Sequence, residues 1–351
     1  MELLYKTAAA IAPLDKRAML VMQKRLDNLA KPKDSLGKLE RVAQQIAGIR
    51  HDPYPQVVSK AAVLMAADHG VAAQNVSAYP QEVTVQMLMN FAGGGAAMNV
   101  LMEQLGGRLY IVDIGVANDF RPHPAIIDRK IRPGTADISQ GPAMSKEEAA
   151  AAVEVGIEMA RQAVLDGAQM IAIGEMGIAN TTPSAALACF YTDLAPQEIV
   201  GRGTGIDDER LQNKQNAVSR ALQLNRYGKD DSLGVLSQLG GLEIAGLCGV
   251  ILGTAAAQKP LIMDGFISSA AAICACQLAP LAKDYIIGSH LSFEPGHKAV
   301  LDYLQIEPLL FLDMRLGEGT GAALAMRIID SVFLLLANMA TFESAGVAEK
   351  I

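Results

Sequence analysis

Apolar and polar positions along the 351-residue chain follow two different periods. From Leu14 to Arg50 the spacing is helical, with a break at Lys31-Pro32 and a second start at Ser35, after which Leu36, Leu39, Ala43 and Ile46 recur on one face. The period then changes. Ala61 to Ala67 is an apolar run ending in Asp68-His69-Gly70, and Arg108 to Val112 is another ending in Asp113-Ile114-Gly115; both read as buried strands. Ser145 to Gly167 is strongly helical, opened by a Ser145-x-x-Glu148 capping box and closed by glycine, and a strand at Met170 to Ile173 follows. Farther on, Leu242 to Gln258 predicts a helix of small residues, Pro260 to Met263 a strand, Ile267 to Leu278 a helix and Tyr285 to Gly288 a strand. After Arg315 the pattern is helical again, from Gly321 to Asn338.

Strands that alternate with helices imply right-handed crossovers, hence an α/β fold with a parallel, doubly wound sheet. The N- and C-terminal helices are expected to pack together as a small helical domain, 1–55 plus 316–351, beside an α/β domain over 56–315. No internal repeat is visible, which removes solenoid architectures. Hydrophobic residues make up 51% of the chain and charged residues 19%, so disorder on the scale of a domain is not expected. A formal net charge of -7 argues against a broad nucleic-acid surface. The most apolar segment, Ser331 to Phe342, is too short to span a bilayer and reads as a buried or dimer-facing helix. Met1 to Asp15 lacks a long apolar stretch followed by a cleavage site, and cytoplasmic residence is the expectation. Cys189, Cys248, Cys274 and Cys276 sit in apolar runs without C-x-x-C spacing, as buried thiols do.

In an open parallel sheet the loops leaving the carboxyl ends of the strands converge on one crevice, and the informative loops here are all of that kind. Asp68-His69-Gly70, the run from Gly174 to Thr182, Asp264-Gly265-Phe266 and Ser289-His290 each follow a predicted strand. Gly174 to Thr182 opens a helix, so it either cradles a phosphate on free amides or is an ordinary glycine turn. It is no Walker loop, and no run matches the dinucleotide G-x-G-x-x-G. Gly201 to Gly205, ahead of a polar helix carrying Lys214, supplies further amides or merely connects. Glu318 stands between Gly317 and Gly319 just before a helix: a solvated residue favouring the helix dipole, or a general base that its neighbours cannot shield. His69 and His290 either contact ligand or are hydrogen-bonded structural residues. No histidine pair has metal-ligand spacing, and no catalytic metal is predicted.

These loops also spell a pattern. The segments KPKDSLGKLE (31–40), DHGV (68–71), SAYPQEVT (77–84), NFAGGGAAMN (90–99), GEMGIANTT (174–182), GRGTG (201–205), DGF (264–266) and RLGEGTG (315–321) resemble, in order and along nearly the whole chain, the nicotinate-nucleotide–dimethylbenzimidazole phosphoribosyltransferases. One departure lies at Lys33-Asp34, where that family usually has Pro-Gly. The resemblance implies a Rossmann-like domain with a small helical domain, a homodimer, and transfer of ribose 5-phosphate from nicotinate mononucleotide to a benzimidazole-type base without a cofactor. It implies that Glu318 is the general base and that Tyr79, Gln86, Met87 and Leu316 lie near the base. It further implies that Glu175, Gly177, Gly203, Lys214, Ser292 and the Asp264-Gly265 turn hold the nucleotide. Rival readings are a relative with another acceptor, such as adenine or a phenol, and a nucleotide-binding regulator that has lost catalysis, which would show a degraded 315–321 segment. A nicotinamide-linked dehydrogenase is weakened by the missing dinucleotide fingerprint.

Overall fold

Lys60–Ala67 (β1) is buried at all of its positions, as a strand covered on both faces must be. The computed structural model, which describes residues 1–56 and 59–348, puts β1 inside a parallel sheet with Arg108–Gly115 (β2), Ile126–Asp128 (β3), Met170–Met176 (β4), Leu261–Met263 (β5) and Ile286–Gly288 (β6). Strand order is β3-β2-β1-β4-β5-β6. Direction of winding therefore reverses between β1 and β4, and ligands of such sheets bind above the carboxyl ends at that reversal.

Glu2–Ala9 (α1), Lys16–Asp27 (α2) and Lys38–Arg50 (α3) precede the sheet. Val83–Ala92 (α4) and Ala97–Gln104 (α5) join β1 to β2, and Lys146–Leu165 (α6) leads into β4. Five helices separate β4 from β5: Thr181–Thr192 (α7), Pro196–Ile199 (α8), Asp208–Leu224 (α9), Ser232–Leu239 (α10) and Leu242–Ala256 (α11). Phe266–Leu278 (α12) crosses to β6, and Pro295–Leu304 (α13), Thr320–Asn338 (α14) and Phe342–Ala345 (α15) close the chain.

The strand period of two divides the core. Ala61, Val63, Met65 and Ala67 face one apolar layer with Ile171 and Ile173, under α6 and α11, whereas Ala62, Leu64 and Ala66 face the other, with Leu88, Phe91, Met98, Met326 and Ile329 from α4, α5 and α14. A third cluster joins Ala18, Met22 and Leu26 of α2 and Ala43 and Ala47 of α3 to Val332 and Leu336 at the far end of α14. That contact supports the two-part division, which we keep as a proposal, while α1 packs instead on α6 and α11. Positions 57–58 and 349–351 of that division lie outside the described residues.

Several elements differ from the sequence reading. β2 runs on to Gly115 and β4 to Met176, so Gly174, Glu175 and Met176 stand in a strand whose ladder to β1 continues, not in the loop after it. The second helix begins after Gly37, because Ser35 belongs to a turn in which its N–H bonds the Pro32 carbonyl. Ser145 and Glu148 do cap α6 reciprocally, at 3.1 and 2.8 Å. α14 starts at Thr320, and the apolar segment from Ser331 to Phe342 is only its second half plus the turn into α15. By length and composition alone α14 could cross a membrane, but half of its apolar window is buried inside the protein, as in a core helix. Cys189, Cys248 and Cys274 are buried free thiols, and Cys276 is half-buried.

The small-residue character of α11 has a steric cause. A Cβ on Gly249 would collide with the Val153 carbonyl of α6, and one on Gly156 with the Gly246 carbonyl of α11, so the two backbones touch there. We expect Gly249→Ala to destabilise the protein by about 1–3 kcal/mol in urea unfolding. Gly141→Ala, where a Cβ meets nothing within 4 Å, should stay within about 0.5 kcal/mol of the parent.

Candidate functional site

Above the reversal, one short strand end organises the cleft. Asp264, directly after β5, accepts the N–H groups of Gly319 and Ala322 at 3.1 Å each, so its carboxylate closes the N-terminus of α14 from another element. His290, at the end of β6, brings Nδ1 to 3.8 Å from the same carboxylate and 3.0 Å from Ser289 Oγ.

The turn entering α14 is left-handed at three successive residues, Gly317, Glu318 and Gly319 (φ 83°, 63° and 88°). For glutamate that conformation costs about 1–2 kcal/mol, which the surrounding contacts must hold in place. They are close: a Cβ on Gly174 of β4 would collide with the Glu318 carbonyl, and one on Gly317 with the Glu175 carboxylate. Glu318 is thereby 7% exposed, and its Oε2 has no hydrogen-bond partner. Burial, and then the charge of Asp264, push its carboxyl up to about 7. Glu175 beside it accepts hydrogen bonds from the Asn180 side chain and, at 3.4 Å, from the Glu318 N–H. Burial dominates there too and pushes that carboxyl up to about 8, with Glu243 and Asp264 adding to the effect. At neutral pH Glu175 is thus mainly protonated, and Glu318 is poised between its two forms.

The opposite side of the cleft is built from amides. α7 begins just past Gly177, where a Cβ would collide with the Ala67 carbonyl of β1. Its first turn abuts the 201–205 turn, in which Gly203 is left-handed (φ 49°). Lys214 of α9 is 1% exposed behind that junction, and its Nζ donates to Thr181 Oγ1 at 2.7 Å and to the Gly201 carbonyl at 3.2 Å. Burial lowers its ammonium to about 8, against the nearby charge of Glu294. Thr204 Oγ1 accepts the Ala78 N–H at 3.0 Å and so ties the 77–79 segment to the same turn.

A neutral histidine joins the remaining two segments. His297 of α13 is fully buried, and burial lowers its imidazole to about 3. Its Nδ1 accepts the Ser292 N–H at 2.8 Å, so the ring proton is on Nε2, which meets Ser269 Oγ at 2.9 Å. Ser269 in turn donates to the Gly265 carbonyl at 2.8 Å. The relative position of Ser292 and the 264–265 turn is set through this chain.

Of the residues singled out from the sequence, Glu175, Gly177, Gly203, Asp264, Gly265, Ser292, Leu316 and Glu318 line one cleft. Lys214 stands behind its wall. Tyr79 lines an adjoining depression that shares Ser77 with the cleft, and Gln86 and Met87 lie on α4, where Gln86 is exposed and Met87 packs on the core. His69 points elsewhere, into a buried 2.8 Å contact with Glu243, whereas His290 lines the cleft. Asn180 and Arg315, inside the 174–182 and 315–321 runs read from the sequence, also line it, as do Ser268 and Glu294, which were not singled out. The one signal for Glu294 was its place a few residues beyond the Ser289-His290 strand end. Among the described residues no three His, Cys, Asp or Glu side chains converge as they would on a metal ion.

Comparison with known proteins agrees with this architecture. A family model described as phosphoribosyltransferase matches residues 11–347. A nicotinate-nucleotide–dimethylbenzimidazole phosphoribosyltransferase of Chloroflexus aurantiacus is 51% identical over 351 residues, covering 100% of both chains. One from Dehalococcoides mccartyi is 48% identical over 350 residues, covering 100% of this chain and 99% of its own. The crystal structure of the enzyme of that name from Thermus thermophilus superimposes with a TM-score of 0.91 at 43% identity, over 96% of this chain and 100% of the other.

The raised carboxyl of Glu318 has a consequence for stability. Its folded value, about 7, lies above its ordinary one of 4.5, so the stabilisation it provides is complete below about 4.5 and is lost as pH rises through 7. Glu318→Gln removes that loss. The variant should therefore be more stable than the parent at pH 8 by on the order of 1–3 kcal/mol, with the gap closing toward pH 5, in urea unfolding at the two pH values.

Proposed function

This chain belongs to the nicotinate-nucleotide–dimethylbenzimidazole phosphoribosyltransferase family, and from that membership we propose that, as a cytoplasmic homodimer, it transfers the ribose 5-phosphate of nicotinate mononucleotide to 5,6-dimethylbenzimidazole. The products are nicotinate and α-ribazole 5′-phosphate, the precursor of the lower ligand of cobalamin. The observation that carries the assignment of roles is the unpartnered Glu318 carboxylate, held near neutrality at the floor of the cleft.

The nucleotide arrives with a cationic pyridinium on its anomeric carbon. When that C–N bond breaks, the electron pair returns to the pyridine nitrogen, and the leaving group needs no proton. The incoming base is different: one ring nitrogen forms the new bond to the anomeric carbon while the other carries an N–H that turns acidic as charge develops. Glu318 accepts that proton. A carboxylate of ordinary acidity would be a weak base, and a fully buried one would stay protonated; a value of about 7 lies where general bases are most effective at neutral pH. Attack opposite the leaving group inverts the β-linked nucleotide into an α-linked product, and the cleft supplies orientation by holding both rings in line.

The charge distribution supports one direction of binding. A phosphate dianion is repelled by the Asp264 and Glu318 end and favoured by the amides of Gly177 and Gly203, the start of α7 and the Lys214 ammonium behind them. Gly265 and Ser292 complete the nucleotide side. Leu316 lies on the base side, next to Glu318. Tyr79, Gln86 and Met87 remain proposed base-side residues; Tyr79 is near the rim at Ser77, and the other two stand along α4 from Thr84, whose hydroxyl accepts the Ile178 N–H at 3.0 Å. The homodimer reading draws support from Phe293, Phe311, Leu312 and Leu316, all more than half exposed although apolar.

Incubation with nicotinate mononucleotide and 5,6-dimethylbenzimidazole should yield α-ribazole 5′-phosphate, identified by its α linkage. Glu318→Gln should lower kcat about 10²-fold or more while leaving nucleotide affinity unchanged. The wild-type kcat should fall on the acid side of a pH near 7 as Glu318 becomes protonated. Full turnover by the variant would remove Glu318 from the reaction.

A further inference from the structure

Among the described residues, three buried side-chain oxygens that line the cleft have no hydrogen-bond partner: Glu318 Oε2, Ser268 Oγ and Glu294 Oε2. An unsatisfied buried acceptor costs about 1–3 kcal/mol, more when charged, so each is a place where a bound donor returns free energy. Glu318 is accounted for by proton transfer. Glu294 is a second carboxylate for which that reaction has no use.

Its surroundings define what it can take. Glu294 is 7% exposed and precedes α13, yet its carboxylate caps none of that helix's amides. Lys214 gives its hydrogen bonds to Thr181 and Gly201 instead of to Glu294. Against Gly201, where a Cβ would collide with Glu294 Oε2, the carboxylate flanks the amide-rich side of the cleft. Through its own N–H, which donates to Ser292 Oγ at 3.3 Å, it is joined to the segment that His297 ties to Gly265. It therefore borders the end suited to phosphate on the side that is joined, through Ser292, to the 264–265 turn from which the Glu318 segment is anchored. A phosphate cannot be its ligand, because both are anions. In a nucleotide laid along that direction, the part between phosphate and reacting carbon is the sugar, whose vicinal hydroxyls are donors of the kind a free carboxylate lacks.

We propose that Glu294 is a sugar-reading residue, whose carboxylate accepts hydrogen bonds from the ribose hydroxyls of the nucleotide substrate. The proposal rests on the functional reading above. It makes the enzyme specific for a ribonucleotide donor, since a deoxy analogue would leave a buried carboxylate unpaired, and sites built to bond a hydroxyl reject analogues that lack it.

The test compares nicotinate mononucleotide with its 2′-deoxy and 3′-deoxy analogues in the wild type, Glu294→Gln and Glu294→Ala, by kcat/KM and by calorimetric Kd. The wild type should prefer the ribonucleotide over at least one analogue by on the order of 10–100-fold. In Glu294→Ala that preference should collapse toward unity, through loss of the ribonucleotide's advantage, with the KM for dimethylbenzimidazole unchanged; Glu294→Gln, which keeps one acceptor and the shape, should fall between. An unchanged ribo-to-deoxy ratio in both variants overturns the proposal, as does an equal weakening of all three nucleotides. If Glu294→Ala does not fold, the ratio in Glu294→Gln decides. Absence of any transfer by the wild type would instead defeat the functional reading, and the calorimetric ratios would still judge Glu294.

Discussion

The carboxylate of Asp264 sits at the end of β5 and closes the N-terminus of α14, a helix that begins more than fifty residues later in the chain. A helix start needs acceptors for its free amides, and a negative charge there is favoured by the helix dipole. Satisfying both from the sheet pulls the 315–319 segment down over β4, against Gly174. Without that docking the glutamate before α14 would be an ordinary solvated residue. With it, Glu318 lies under 10% exposed over the carboxyl ends of the strands, within the field of the group that anchors its own helix.

That arrangement explains the acid–base state of the cleft. Glu175, Asp264 and Glu318 cannot all ionise freely in so little solvent, and burial raises each of them. Their surroundings then separate them. Asp264 is offset by His290 and by backbone amides; Glu175, buried and facing the like charges of Glu243 and Asp264, mainly holds its proton; Glu318 is left near the middle of the range. Environments that push neighbouring carboxyl groups apart are how one site keeps an acid and a base at the same pH.

The opposite wall works by a different principle. Gly177 and Gly203 keep side chains away from the places where the start of α7 and the 201–205 turn meet, and Lys214 braces that junction from behind without entering the cleft. His297, kept neutral by burial, locks Ser292 to the 264–265 turn with both ring nitrogens engaged. The supporting groups are thus buried and hydrogen-bonded, while Glu318, Ser268 and Glu294, which line the cleft, each keep an oxygen without a partner. Such a division lets rigid elements hold the reacting groups while leaving unmet hydrogen-bonding capacity for a ligand.

Local pattern in the sequence was enough for much of the fold, because burial leaves a mark on it: an unbroken apolar run for β1, which is covered on both faces, and a 3.6-residue period with a reciprocal cap for α6. It also pointed to the strand ends that line the cleft and marked Glu318 by its flanking glycines. The reason for those glycines was legible only in three dimensions: they permit left-handed backbone and clear Glu175, and they do not expose the glutamate, which is buried. β3, half-buried to exposed, has no buried apolar run to be read, whereas the equally short but fully buried β5 and β6 were legible. Strand order, the contact between Glu318 and Glu175 across 143 positions, the Ser292–His297–Ser269 chain and the isolation of Glu294 were decided by tertiary packing alone. A residue's period tells which way it faces, but which distant partner it meets there, or whether it meets any, depends on how the helices settle on the sheet.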